Sequence, residues 1–226
     1  MKPQRVSYPQ GKDTHLKFTH IEKQLKSPFV CYADFECILK PVQDEEVDVT
    51  TGIIDPEEKK KEFAYQVHEP ASYAYKIVSI DPDYKFELKI HRGLDAAEHL
   101  LDSLQADAEK IYQDYIKKKK PMPTLTAEEQ EHFNNASECH ICGEEIKEGE
   151  KKDLDHCHIL GHYRGAAHNS CNLNYKIDPR RWKLPVLFHN LRGYDGHLII
   201  KALKNSHGNV RVIPNNMEKF MAFSVG

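Results

Sequence analysis

The sequence predicts an α+β protein, a mixed sheet with helices on its faces, interrupted by a compact metal-binding segment. Three observations predict it. Runs rich in β-branched and aromatic residues lie at 29–39, 71–78 and 84–91. A single apolar face recurs at three- and four-residue steps over 94–115. Two pairs at x-x spacing, Cys139/Cys142 and His168/Cys171, bracket a histidine-rich stretch.

Residues 1–27 are polar and lack periodicity, so they read as an arm; no signal peptide is expected after Met1-Lys2-Pro3-Gln4-Arg5. Pro28 and Pro41 bound the first strand, Phe29 to Leu39, whose composition suits a central position. The acidic, then lysine-rich stretch 42–62 reads as an exposed loop. The second strand spans 71–78, and the turn signal Asp81-Pro82-Asp83 leads to a third over 84–91. A helix follows, with Asp95 near its start and Lys117 to Lys120 suiting its negative end. That lysine run reads more readily as a solvated helix end than as a nucleic-acid patch. Pro121-Met122-Pro123 stops the helix, and Thr126 can cap a short helical turn. After the metal segment, 184–190 reads as a strand, Gly193-Tyr194-Asp195-Gly196 as a turn, 197–203 as a helix, and 210–213 and 220–223 as short strands. The expected division is 1–27 as the arm, 28–120 with 181–226 as one discontinuous domain, and 121–180 as a linker plus the metal finger.

Composition narrows the function. A net charge of −3 gives no global attraction to nucleic acid, so such a surface must be local. Between 160 and 183 it is: Arg164, Lys176, Arg180, Arg181 and Lys183 face Asp178 alone, and arginines fork onto phosphate oxygens. No apolar run reaches the roughly 18 residues of a membrane span, so no membrane partner is expected. Of the six cysteines, Cys139, Cys142 and Cys171 sit at metal spacing, which favours a reducing, intracellular compartment and zinc over disulfides. Nucleus and cytoplasm are not distinguishable. Cys31 and Cys37 lie in an apolar stretch and read as inert thiols.

Zinc takes four donors in a tetrahedron. Cys139, Cys142, His168 and Cys171 supply them, with His132, His140 and His162 as rivals for the place of His168. Between the pairs, Asp155-His156-Cys157-His158 alternates, so both histidines share one strand face. Phosphodiester cleavage needs a base for water, a cation for the developing charge and a phosphate clamp, and a histidine pair with oxygen donors can furnish these.

Leu154-Asp155-His156-Cys157-His158, then Gly161, Arg164-Gly165, His168 and Cys171-Asn172, resembles the recombination endonuclease VII family of HNH, or His-Me finger, nucleases. The resemblance covers roughly 139–176. It implies a ββα-metal finger with structural zinc on the four outer ligands and His156 as general base. It further implies Asp155 and Asn172 on a catalytic Mg²⁺ or Mn²⁺, His158 beside the scissile phosphate, and DNA as the partner, contacted by Arg164, Lys176, Arg180 and Arg181. The family usually has cysteine where this chain has His168, a change zinc tolerates.

Asp34-Phe35-Glu36 puts two carboxylates on one face of the first strand. Tyr32-Ala33-Asp34-Phe35-Glu36, with Phe188-His189-Asn190-Leu191-Arg192-Gly193-Tyr194-Asp195, resembles the 3′–5′ exonuclease domain of family B DNA polymerases, nearest the protein-primed type of viruses and self-synthesising transposons. This implies an RNase H-like fold with Asp34, Glu36 and Asp195 binding Mg²⁺. The last acidic motif does not follow Asp195, so an incomplete exonuclease-like site within a larger polymerase-like protein is expected. The leading expectation is a metal-dependent DNA endonuclease. The alternatives are a zinc-stabilised DNA-binding module and a 3′–5′ exonuclease.

Overall fold

The structure is a computed structural model that describes residues 8–14, 20–41, 66–203, 208–216 and 219–226. The loop expected over 42–62 lies outside these residues. In chain order the strands are β1 (Phe29–Pro41), β2 (Gln66–Ser79), β3 (Lys89–Arg92), β4 (Lys152–His156), β5 (Tyr163–His168), β6 (Val186–Phe188), β7 (Val210–Pro214) and β8 (Phe220–Val225). The helices are α1 (Ala96–Ile111), α2 (Ala127–Asn135), α3 (Asn169–Asn174) and α4 (Asp195–Ala202). The chain is thus a mixed α+β protein. It splits into two compact units: 27–114 with 183–226, and 1–26 with 115–182. Among the described residues no helix is long and apolar enough to cross a membrane.

In the first of these units a four-stranded sheet runs in the order β3-β2-β1-β6. β1 pairs antiparallel with β2 and parallel with β6, so the strand that leads to Asp195 lies beside the strand that carries Asp34. Alternation decides the faces. Phe29, Cys31, Ala33 and Phe35 are buried, while Tyr32, Asp34 and Glu36 are exposed. Leu100 and Ile111 of α1 and Leu198 and Ile199 of α4 are buried too, and each such side chain contributes about 1.5–3 kcal/mol. One polar group penetrates this core without loss. Asp107 accepts from Tyr75 Oη at 2.7 Å and from Lys89 Nζ at 2.7 and 2.8 Å.

Two elements depart from the expectation. The third strand is only Lys89–Arg92, because Tyr84 and Phe86 turn edge-on to Phe29, with ring centroids 5.5 and 6.3 Å away, instead of pairing. The last two strands pair with each other as a separate hairpin and do not join the sheet.

The other unit is built on the hairpin β4–β5 with α3 directly after it, a ββα order. α2 starts with a full capping box, Thr126 and Glu129 each closing on the other's backbone N–H. The Cys139–Cys142 turn closes through Gly143 N–H to Cys139 O at 2.8 Å, and His140 N–H ties it to Ala166 O at 2.9 Å. The buried apolar side chains are few and small: among the described residues they are Ile116, Cys139, Cys157, Ile159, Ala166 and Ala167. A core of that size gives little folding energy on its own and calls for a staple.

Candidate functional site

The staple is at hand. Ligand atoms of Cys139, Cys142, His168 and Cys171 all lie within 4.8 Å of one another. His168 Nδ1 is 3.5 Å from Cys142 Sγ and 3.9 Å from Cys171 Sγ. Zinc bonds of about 2.3 Å to sulfur and about 2.0 Å to nitrogen set tetrahedral edges of roughly 3.5–3.8 Å, so the set fits zinc. The other ring nitrogen, Nε2, faces Glu145 O at 3.2 Å, which turns Nδ1 toward the sulfurs. Burial pushes the Cys139 thiol up, but the backbone donors of Cys142, His168 and Ile141 outweigh it and lower its pKa, favouring the thiolate a metal needs. Cys171 moves the other way, through burial and the neighbouring sulfurs. Among the rival histidines, His140 is turned to Asp155 and His132 to Tyr163 Oη at 3.1 Å.

Next to this cluster, β4 delivers Asp155 and His156. Asp155 is 1 % exposed. Its Oδ1 accepts from Arg164 Nη2 at 2.7 Å, and its Oδ2 from Arg164 Nε at 2.7 Å and His140 Nε2 at 2.9 Å. Burial raises its pKa, yet these bonds and the Arg164 charge hold the carboxyl below its usual range. Arg164 also donates to Tyr175 O at 3.2 Å and stacks on the Tyr175 ring, 4.8 Å from its centroid. Gly165 makes room for this network. A Cβ there would sit 2.7 Å from His140 Cγ, so Gly165→Ala is expected to push His140 off Asp155 and lower stability by about 1–3 kcal/mol. Thermal unfolding of the zinc-loaded protein measures it; an unchanged Tm would count against the network.

The strand ends at His156, and a turn carries His158. Their rings still stack, with centroids 4.6 Å apart and planes 8° from parallel. Burial lowers both pKa values. For His156 the Arg164 charge adds to it and Asp155 opposes; for His158 the His156, Lys119 and Arg164 charges add. Both imidazoles are therefore neutral at pH 7, the form that accepts a proton.

Other expected site residues fall elsewhere. Asn172 bonds the Asp153 carboxylate, which also accepts from Asn169 Nδ2 at 2.5 Å. Asp155 thus faces Arg164 and His140, while Asn172 faces Asp153. Arg164 points at Asp155 and not outward, so it is a positioning residue rather than a phosphate contact. Arg180 forks onto Asp178 at 3.2 and 3.3 Å, while Lys176 and Arg181 are exposed. Sequence reasoning missed the partners His140 and Tyr175, and it set aside Lys119.

In the sheet unit, Asp195 is fully buried at the start of α4, and neither of its carboxylate oxygens meets a hydrogen-bond partner among the described residues. Burial and the Asp34 charge push its pKa up to about 6, against a weaker pull from the backbone N–H groups of Asp195 and Phe35, which approach it outside full hydrogen-bonding geometry, and from His189. Asp34 and Glu36 lie on the exposed face. Asp34 is thus electrostatically linked to Asp195.

Residues 115–182 match the family model of recombination endonuclease VII. No curated protein and no solved structure matches the chain. The family match supports a nuclease, with DNA as its substrate, carried by the stretch that holds the four metal-binding side chains and the histidine pair.

Proposed function

We propose that this stretch is a DNA endonuclease finger of the His-Me type, with His156 as general base. The observation that carries the reading is the neutral, parallel His156–His158 stack, hinged on β4 beside a four-ligand zinc cluster. His156 takes the proton from the attacking water, and His158 stands beside it to hydrogen-bond the phosphate. The Asp155–Arg164–His140 network holds the β4 end rigid. Structural zinc on Cys139, Cys142, His168 and Cys171 supplies the fold of the finger, not a reaction step. Lys176 and Arg181 are the exposed cations for backbone contact. Closed circular plasmid against end-labelled linear DNA tests the reading, with Mg²⁺ or Mn²⁺ supplied. An endonuclease opens circles. Degradation confined to ends would favour the exonuclease, and binding without cleavage the zinc-stabilised module.

A second reading has one observation in its favour. The β3-β2-β1-β6 order, with β6 parallel to β1, is compatible with an RNase H-like, exonuclease-like domain over 28–120 and 181–226. The orphaned Asp195 carboxylate beside Asp34 fits a divalent cation, which Asp34, Glu36 and Asp195 would hold and which would relieve their repulsion. Without a cation, the raised pKa means that Asp195 favours the fold only while protonated. That contribution is full below its unfolded value, near 3.8, and is lost as pH rises through about 6. Asp195→Asn is therefore expected to raise Tm at pH 8 by an amount worth about 1–3 kcal/mol, and to change little at pH 4. Equal Tm values at pH 8 would remove the electrostatic strain from the account.

A further inference from the structure

The lysine run after α1 does more than end a helix. The chain over Lys119–Pro121 is laid along the histidine turn: Lys120 N–H donates to His158 O at 2.8 Å. Gly161 closes that turn with φ +87°, and a Cβ there would stand 3.1 Å from Pro121 O and 3.6 Å from Lys120 Cβ. The hydrogen bond and the close approach of Gly161 thus place the 120–121 backbone, next to Lys119, against the residues that follow His156. The Lys119 side chain is exposed, and it acts electrostatically on the His158 imidazole. Among the described residues no carboxylate pairs with Lys119. Its neighbours Lys117, Lys118 and Lys120 all have partners.

An unpaired ammonium held beside a neutral imidazole pair is what a phosphodiester requires. Its non-bridging oxygens carry the charge, neutral histidines do not neutralise it, and Arg164 is committed to Asp155. We propose that Lys119 is a phosphate-binding residue of this site, its ammonium holding a non-bridging oxygen of the DNA phosphate that lies over the His156–His158 stack. The assignment rests on the nuclease reading above and adds a cation that neither the zinc ligands nor the inward-facing arginine provides. Lysine acts here as a point charge, so arginine at the same position retains most of the effect.

The test uses the full zinc-loaded chain with Lys119→Ala, Lys119→Arg and, as a neighbour from the same run, Lys118→Ala. Two readouts are taken: the nicking rate on supercoiled plasmid, and the salt dependence of binding to a labelled duplex in a His156→Ala background. Zinc content controls for folding. Lys119→Ala is expected to lower kcat/KM about tenfold or more and to flatten the slope of log K against log salt by about 0.9, the value of one phosphate contact. Lys119→Arg should restore both, and Lys118→Ala should change neither. An unchanged slope for Lys119→Ala overturns the assignment, and so does an equal loss from Lys118→Ala, which would mark a general basic patch. If the wild type binds DNA but never nicks it, the nuclease reading falls while the slope still decides Lys119. If it does not bind DNA, both fall.

Discussion

His156→Ala is expected to abolish most DNA cleavage, with a loss on the order of 10²–10⁴ for removal of a general base. It should leave zinc content and fold intact. The ring is not among the four metal-binding side chains, and its described ring contact is the stack on His158. The pH dependence follows from the direction of its shift. Burial lowers the His156 pKa from 6.5, so the base form persists as pH falls past that value. The acid limb of the rate profile should therefore lie below pH 6.5. A limb above it would mean that the stack is charged in the working enzyme. Single-turnover cleavage across pH, with metal analysis of each sample, measures all of this.

Loss of the zinc is the second large effect. Cys139→Ser together with Cys142→Ser is expected to release the bound metal, about one equivalent, and to unfold the β4–β5 hairpin and α3. The buried apolar side chains of this unit are small, so little else closes the knuckle on the hairpin. In zinc fingers the binding energy, on the order of 10 kcal/mol, is folding energy. Circular dichroism and amide exchange of the double variant should show a local loss confined to 115–182. Full zinc retention, or a finger that stays folded without it, would contradict the account.

Much of this site was legible before the structure. The two x-x spacings pair side chains that do converge, because a tight knuckle turn and a strand-to-helix step each present two ligands on one side. Period-two alternation put His156 and His158 together, and their rings stack although the strand stops at His156. The network around Asp155 was not legible. Arg164 and His140 reach it only through the β4–β5 register and the fold of the knuckle, neither of which has a local signature. Lys119 was hidden for the same reason, since the hydrogen bond that lays its run along the histidine turn, Lys120 N–H to His158 O, joins residues far apart in sequence. In the sheet unit the strands were readable by composition, but the pairing of the last two was not. The 210–214 and 220–225 segments satisfy each other rather than extend the sheet, and Tyr84 and Phe86 give up a strand to cover Phe29.

The central claim is that the zinc-held finger cuts DNA internally with His156 as its base. The most direct measurement is conversion of supercoiled plasmid to open circles by the zinc-loaded wild type and by His156→Ala, side by side, with Mg²⁺ and with Mn²⁺. The account predicts open circles from the wild type and almost none from the variant at equal zinc content. Circles left closed by the wild type under both metals, or nicked equally well by His156→Ala, would contradict it.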